Sequence, residues 1–181
     1  VFMKRTILFI SSLVVIVGCS KEPINYENTL SERNAVFYTN DTNNPYSGKV
    51  FSVYDDGNKK GEGTLKDGKM ISKTEWKWYK NGQKWSEGTF RDGKVDGLFK
   101  WWYENGQKKK EVTFKDGRED GLMTSWYDNG NKSSKRTYKD GEFDGLETYW
   151  HINGKKYRET TYTDGKLIFE KEWNKDGSVK K

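Results

Sequence analysis

The chain is expected to fold as an all-β protein, a row of tandem β-hairpins of period 24 forming one elongated, twisted antiparallel sheet. Three observations predict it. Turn glycines recur at Gly82, Gly106, Gly130 and Gly154, each 24 residues after the last, with flanking copies at Gly57 and Gly177. Self-similarity at such a step marks a repeat array whose units bury surface on their neighbours. Each unit carries Asn-Gly or a near equivalent between aromatic-rich segments, the strongest short-range hairpin signal. The composition is 33% charged and only 32% hydrophobic, yet 15% aromatic, which suits a thin sheet with a few large buried side chains and not a thick core.

The N-terminus differs from the rest. Lys4 and Arg5 precede an apolar run from Ile7 to Val17, broken by Ser11 and Ser12. Residues 1–18 therefore read as a secretory signal, too short for a comfortable transmembrane span. It ends in Ile16-Val17-Gly18-Cys19, and Cys19 is the only cysteine. This end is similar to the bacterial lipoprotein cleavage motif, which implies cleavage before Cys19, lipidation of Cys19, and anchoring in a lipid bilayer. Ser20 follows in place of an Asp retention signal, so the expected location in a Gram-negative cell is the outer membrane. Removing residues 1–18 lowers the net charge from +6 to +4 by loss of Lys4 and Arg5. That balance, with Lys and Glu interleaved and an export signal present, excludes nucleic acid as the expected partner.

Residues 19–33 read as the lipidated cysteine and a flexible polar tether, and residues 34–48 as an irregular cap opening the repeat domain, 34–181. That domain holds about five repeats and a partial C-terminal one. In the third repeat, Leu98 to Tyr103 forms the first strand and Gln107 to Phe114 the second, around Glu104-Asn105-Gly106. The pair Asp116-Gly117 and the following Asp120-Gly121 form the return loop, with glycines able to take positive φ. A two-residue type I′ turn at Asn-Gly would pair Leu98 with Thr113. A three-residue loop with a glycine bulge shifts the register by one and puts Leu98, Trp102, Val112 and Phe114 on one face. The second register is preferred because it gathers the in-phase residues Leu98/Leu122/Leu146, Trp78/Trp102/Trp126/Trp150 and Phe90/Phe114/Tyr138/Tyr162 into one buried stripe. Tyr79, Tyr103 and Tyr127 then line the opposite face.

The units Trp78-Tyr-Lys-Asn-Gly-Gln-Lys84, Glu87-Gly-Thr-Phe-Arg-Asp-Gly93 and Asp96-Gly97 resemble the variant MORN repeat, as found in the YwqK-like antitoxin family of bacterial proteins. The resemblance runs over roughly residues 48–177 and implies a scaffold of β-hairpins with varied partners. His151, Val53 and the pair Ile168-Phe169 depart from the pattern, as terminal repeats do.

No catalytic constellation is legible, so a non-enzyme is expected. His151 is the only histidine and takes a strand aromatic's position, while no thiol nucleophile or metal-spaced cluster occurs. Asp92/Asp96, Asp116/Asp120 and Asp140/Asp144 recur in pairs that invite a calcium reading, but Asp before Gly forms turns in its own right. No cofactor or metal is expected. Subtracting in-phase residues leaves off-phase aromatics. The candidate binding surface joins the off-phase Phe99, Trp101 and Trp85 with Tyr103, Tyr79 and Tyr127, the in-phase tyrosines of the face opposite the stripe. The expected function is a membrane-anchored protein–protein interaction module engaging an envelope protein, a toxin if the family label carries over. The alternatives are an envelope carbohydrate or peptidoglycan binder and a structural envelope spacer.

Overall fold

The computed structural model describes residues 22–180; the signal segment and Cys19 lie outside them. In chain order the elements are β1 (Ile24–Asn25), one helical turn α1 (Tyr26–Thr29), β2 (Leu30–Arg33), β3 (Val36–Thr39), β4 (Gly48–Val53), β5 (Lys59–Lys66), β6 (Lys69–Trp78), β7 (Lys84–Arg91), β8 (Lys94–Val95), β9 (Gly97–Trp102), β10 (Lys108–Lys115), β11 (Arg118–Trp126), β12 (Lys132–Lys139), β13 (Glu142–Phe143), β14 (Gly145–Trp150), β15 (Lys156–Thr163) and β16 (Lys166–Glu172). Among the described residues, 14 strands form one open sheet and β2–β3 form a separate hairpin. From β4 to β16 the strands follow in chain order, all antiparallel, except that the two-residue strands β8 and β13 pair with β7 and β12 off this path; only β1 joins in parallel, beside β4. The array of hairpins expected from the period is the fold.

Two turn types alternate because the two dipeptides differ. At Asn105-Gly106 the Tyr103 N–H donates to the Gln107 carbonyl (2.8 Å) and the Gly106 N–H to the Tyr103 carbonyl (2.9 Å). With Gly106 at φ 82°, this is the three-residue loop closed by a glycine bulge. At the other edge Asp116 (φ 49°) and Gly117 (φ 86°) are both left-handed, and Lys115 pairs directly with Arg118. That is the type I′ geometry, which Asp and Gly tolerate best.

The preferred register is corrected. The three-residue loop is present, but a second bulge follows it: Trp102 pairs with Lys108 and Trp101 with Lys110, leaving Lys109 extra. The shift restores Leu98 opposite Thr113 and Phe99 opposite Val112. The same offset places Lys60, Trp85, Ser133 and Tyr157 as bulge residues in the other hairpins. One residue of slip exchanges the faces. Hence Leu98, Leu122 and Leu146 do not join Val112 in a buried stripe. They are 40%, 41% and 52% exposed, on the opposite face.

The core lies on the face of Phe99 and Val112. Val112, Met123 and Tyr138 are buried there, with Trp101, Phe114 and Phe143 packed against them. A second cluster of Leu30, Tyr46, Val50 and Leu65 sits at the N-terminal end, backed by Ile24, Tyr26, Phe37 and Met70. Full burial of such side chains stabilises the fold by about 1.5–3 kcal/mol each. This second cluster corrects the tether expectation for residues 24–33. Leu30 of β2 and Tyr26 of α1 bury apolar surface on the first hairpin, and Ile24–Asn25 adds a strand to it.

Candidate functional site

The corrected register gives the sheet two unlike faces. On the core face the residue changes from repeat to repeat: Phe99, Met123 and Glu147 are equivalent, as are Val112, Arg136 and Thr160. On the open face the residue is kept: leucine at 98, 122 and 146, threonine at 113, 137 and 161, tryptophan at 102, 126 and 150, and lysine at 108, 132 and 156.

Three rows therefore run across the strands of the open face. Near the Asp-Gly turns, each leucine stands opposite a threonine (Leu98–Thr113, Leu122–Thr137, Leu146–Thr161). Near the Asn-Gly turns, tryptophan alternates with lysine. The Lys84 ammonium lies 5.8 Å from the Trp78 ring centre and 5.2 Å from that of Trp102, and Lys108 lies 5.4 Å from Trp126. These cation–π distances place a lysine against the ring faces of the row. Between the two rows runs a charged one, in which Lys84 meets Glu87 (2.6 Å) and Lys108 meets Glu111 (3.0 Å). Burial pushes the Glu87 carboxyl up, but the ammoniums of Lys84 and Lys100 and the Trp76 indole N–H outweigh it and leave the group below the usual carboxylate range.

The core face carries a polar cluster that sequence reasoning missed. Glu147 is buried and accepts from Tyr149 (2.7 Å) and Thr160 (2.9 Å), while the Arg136 guanidinium lies 2.7 Å from it and also donates to Tyr149. Burial, and then the bond to Glu147, push the Tyr149 phenol up to about 12. These residues come from β12, β14 and β15, so only the register brings them together.

The six aromatics expected as a binding surface fall into two groups and a single residue, Trp85. Phe99 and Trp101 stack on each other (centroids 4.4 Å apart, 21° between planes) on the core face, and Phe99 meets Phe90 and Phe114 edge-on. Tyr79, Tyr103 and Tyr127 are half-buried at the Asn-Gly edge, where each hydroxyl donates to a main-chain carbonyl of the next repeat, those of Trp102, Trp126 and Trp150 (2.9, 2.8 and 2.8 Å). The turn asparagines repeat the device: Asn81 and Asn105 donate to the carbonyls of Glu104 and Asp128. These in-phase residues tie one repeat to the next and satisfy carbonyls at the sheet's rim. Trp85 is 39% exposed because it is a bulge residue. Its ring lies 6.5 Å from that of Tyr79, with the Lys77 ammonium 5.3 Å from its centre. His151 takes the tyrosine position in its repeat and packs on Tyr157 (4.9 Å). Cys19 lies outside the described residues.

Among the described residues, no group of three or more His, Cys, Asp or Glu side chains is placed to hold a metal ion. The Asp-Gly aspartates at 67, 92, 116, 140 and 164 are instead the left-handed first residues of their turns. No curated protein matches the chain. Residues 95–116 and 119–140 match the family model described as the MORN repeat variant, and these spans cover the β9–β10 and β11–β12 hairpins. The chain thus carries two tandem MORN-variant repeats in the middle of its sheet.

Proposed function

We propose that this protein is a non-catalytic, membrane-anchored interaction module that docks a partner protein along the open face of its sheet. One observation carries the reading: Leu98, Leu122 and Leu146 stay 40–52% exposed in three successive repeats, while Trp101 and Met123, on the strands of Leu98 and Leu122, are packed on the other face. A row of exposed leucines rimmed by charged residues fits a protein-binding surface, since scaffold stability does not require it. The Gly18-Cys19 end of the apolar segment supports a lipid anchor on Cys19. The resemblance to YwqK-like antitoxins supports an antitoxin or immunity-like role, with an envelope toxin as the partner. Sugar binding is less well supported, because lysine ammoniums lie against the ring faces of Trp78, Trp102 and Trp126 that a sugar would stack on.

The test is capture of envelope proteins by residues 20–181 carrying Leu98→Ser, Leu122→Ser and Leu146→Ser together, against the unsubstituted chain. Saturable capture of one protein should fall at least about tenfold in the triple variant, as expected when central apolar anchors are removed. The circular dichroism spectrum should be unchanged. Undiminished capture, or binding to purified cell wall that free sugar competes, would overturn the reading.

A further inference from the structure

The charged row of the open face has one gap. In four hairpins a lysine meets a glutamate three residues on: Lys59–Glu62, Lys84–Glu87, Lys108–Glu111 and Lys156–Glu159, at 2.7, 2.6, 3.0 and 2.5 Å. In the β11–β12 hairpin the same two positions are Lys132 and Lys135. Both are exposed, and among the described residues no carboxylate lies within ion-pair distance of either. Lys135 stands opposite Thr124 on one side and Thr148 on the other. Beyond those threonines are Glu111 and Glu159, two strands or about 10 Å away, and each already holds its own lysine. Two unneutralised ammoniums thus sit at one point of an otherwise compensated row. Leu122 and Leu146, 41% and 52% exposed, lie on the same two neighbouring strands, each two residues along from the threonine that faces Lys135.

We propose that this gap is the recognition point of the open face, where Lys132 and Lys135 receive the carboxylates of an acidic, apolar segment of the partner protein. The segment's apolar side chains lie on Leu122 and Leu146. The inference rests on the reading of the open face as the docking surface and names the chemistry of the partner. Charge complementarity favours a protein over a polyanion. Recognition of an anionic membrane takes a cluster of about four to eight basic residues, whereas this row has two free ammoniums between Glu111 and Glu159, which would repel a continuous line of phosphates. Isolated carboxylates between apolar residues match the spacing, and opposite charge at a docking surface selects the partner and rejects others.

The test uses the full chain in neutral detergent and three fluorescent peptides alternating leucine with glutamate, lysine or serine, read by anisotropy. The Leu-Glu peptide should bind at least about tenfold more tightly than the others, more weakly as salt rises. Lys135→Glu, which places a carboxylate three residues from Lys132 as in the other hairpins, should weaken that binding about tenfold without lowering the thermal midpoint; Lys135→Gln should weaken it less. Equal binding of the Leu-Lys peptide, or unchanged binding by Lys135→Glu, would overturn the inference. So would complete displacement by glycerol phosphate, which would assign the gap to a phosphate headgroup. Binding lost in the Leu122→Ser, Leu146→Ser variant but kept in Lys135→Glu would sink the gap and spare the docking face. Binding kept in both would sink the two together.

Discussion

Glu147→Ala is expected to destabilise the C-terminal half of the array by about 3 kcal/mol, the low end for breaking a buried ion pair, because Arg136 retains some contact with water. The Glu147 side chain is 6% exposed and that of Arg136 25%. Removing the carboxylate takes away the acceptor for Tyr149 and Thr160 together with the counter-charge of Arg136. Three groups lose the carboxylate at once, with only the Arg136–Tyr149 hydrogen bond left among them, and an unpaired polar group away from water costs more than a hydrogen bond gains. Urea denaturation followed by tryptophan fluorescence measures the loss. Arg136→Met with Glu147→Met should be less damaging than Glu147→Ala, since no charge is then left unpaired. A Glu147→Ala variant within about 0.5 kcal/mol of the parent, the scale of an ordinary surface change, would show that the cluster contributes nothing to stability.

The second large effect is at Gly88. This residue lies on β7 beneath Phe99, and a Cβ built there would sit 2.2 Å from the ring. The ring has little room to move, being stacked on Trp101 and met edge-on by Phe90 and Phe114. Gly88→Ala therefore forces four aromatics to shift, at about 2–3 kcal/mol, within the range for overpacked cores. The clash is specific, so Phe99→Leu combined with Gly88→Ala should cost less than the sum of the two single changes in the same denaturation experiment. Strict additivity would mean that Phe99 is not what Gly88 makes room for.

Much of the fold is legible in the residues. The 24-residue step gives the array, Asn105-Gly106 gives the three-residue loop, and Asp116-Gly117 demands two left-handed residues. What is not legible is the bulge at Lys109. Its counterparts Lys60, Trp85, Ser133 and Tyr157 share no size, charge or branching, so no residue type announces the extra position. Because side chains alternate along a strand, that single residue decides which face is buried. Periodicity therefore misleads about the core. Leu98, Leu122 and Leu146 look like a buried stripe because they are apolar and in phase, yet they face solvent. Phe99 and Trp101 look dispensable because they are off phase, yet they pack on Val112's face. The tyrosines are recognisable as a repeated position of the unit, but not as donors to carbonyls 23 residues on. The Arg136–Glu147 cluster needs three strands in register before it exists. The gap at Lys135, by contrast, is written in the sequence, and becomes visible once the lysine–glutamate pairs of the other hairpins are known.

The division into a variable core face and a periodic open face is tested most directly at two adjacent residues, Leu122 and Met123. They share one strand and point to opposite sides; Leu122 is 41% exposed and Met123 4%. Hydroxyl-radical footprinting of the folded chain with mass spectrometry reads both in one peptide. Methionine sulfur oxidises readily when solvent reaches it, so intrinsic reactivity favours Met123. The expected result is modification of Leu122 with Met123 protected until the chain is unfolded. Oxidation of Met123 ahead of Leu122 in the folded chain would contradict the assignment of the faces, and with it the docking surface built on the open one.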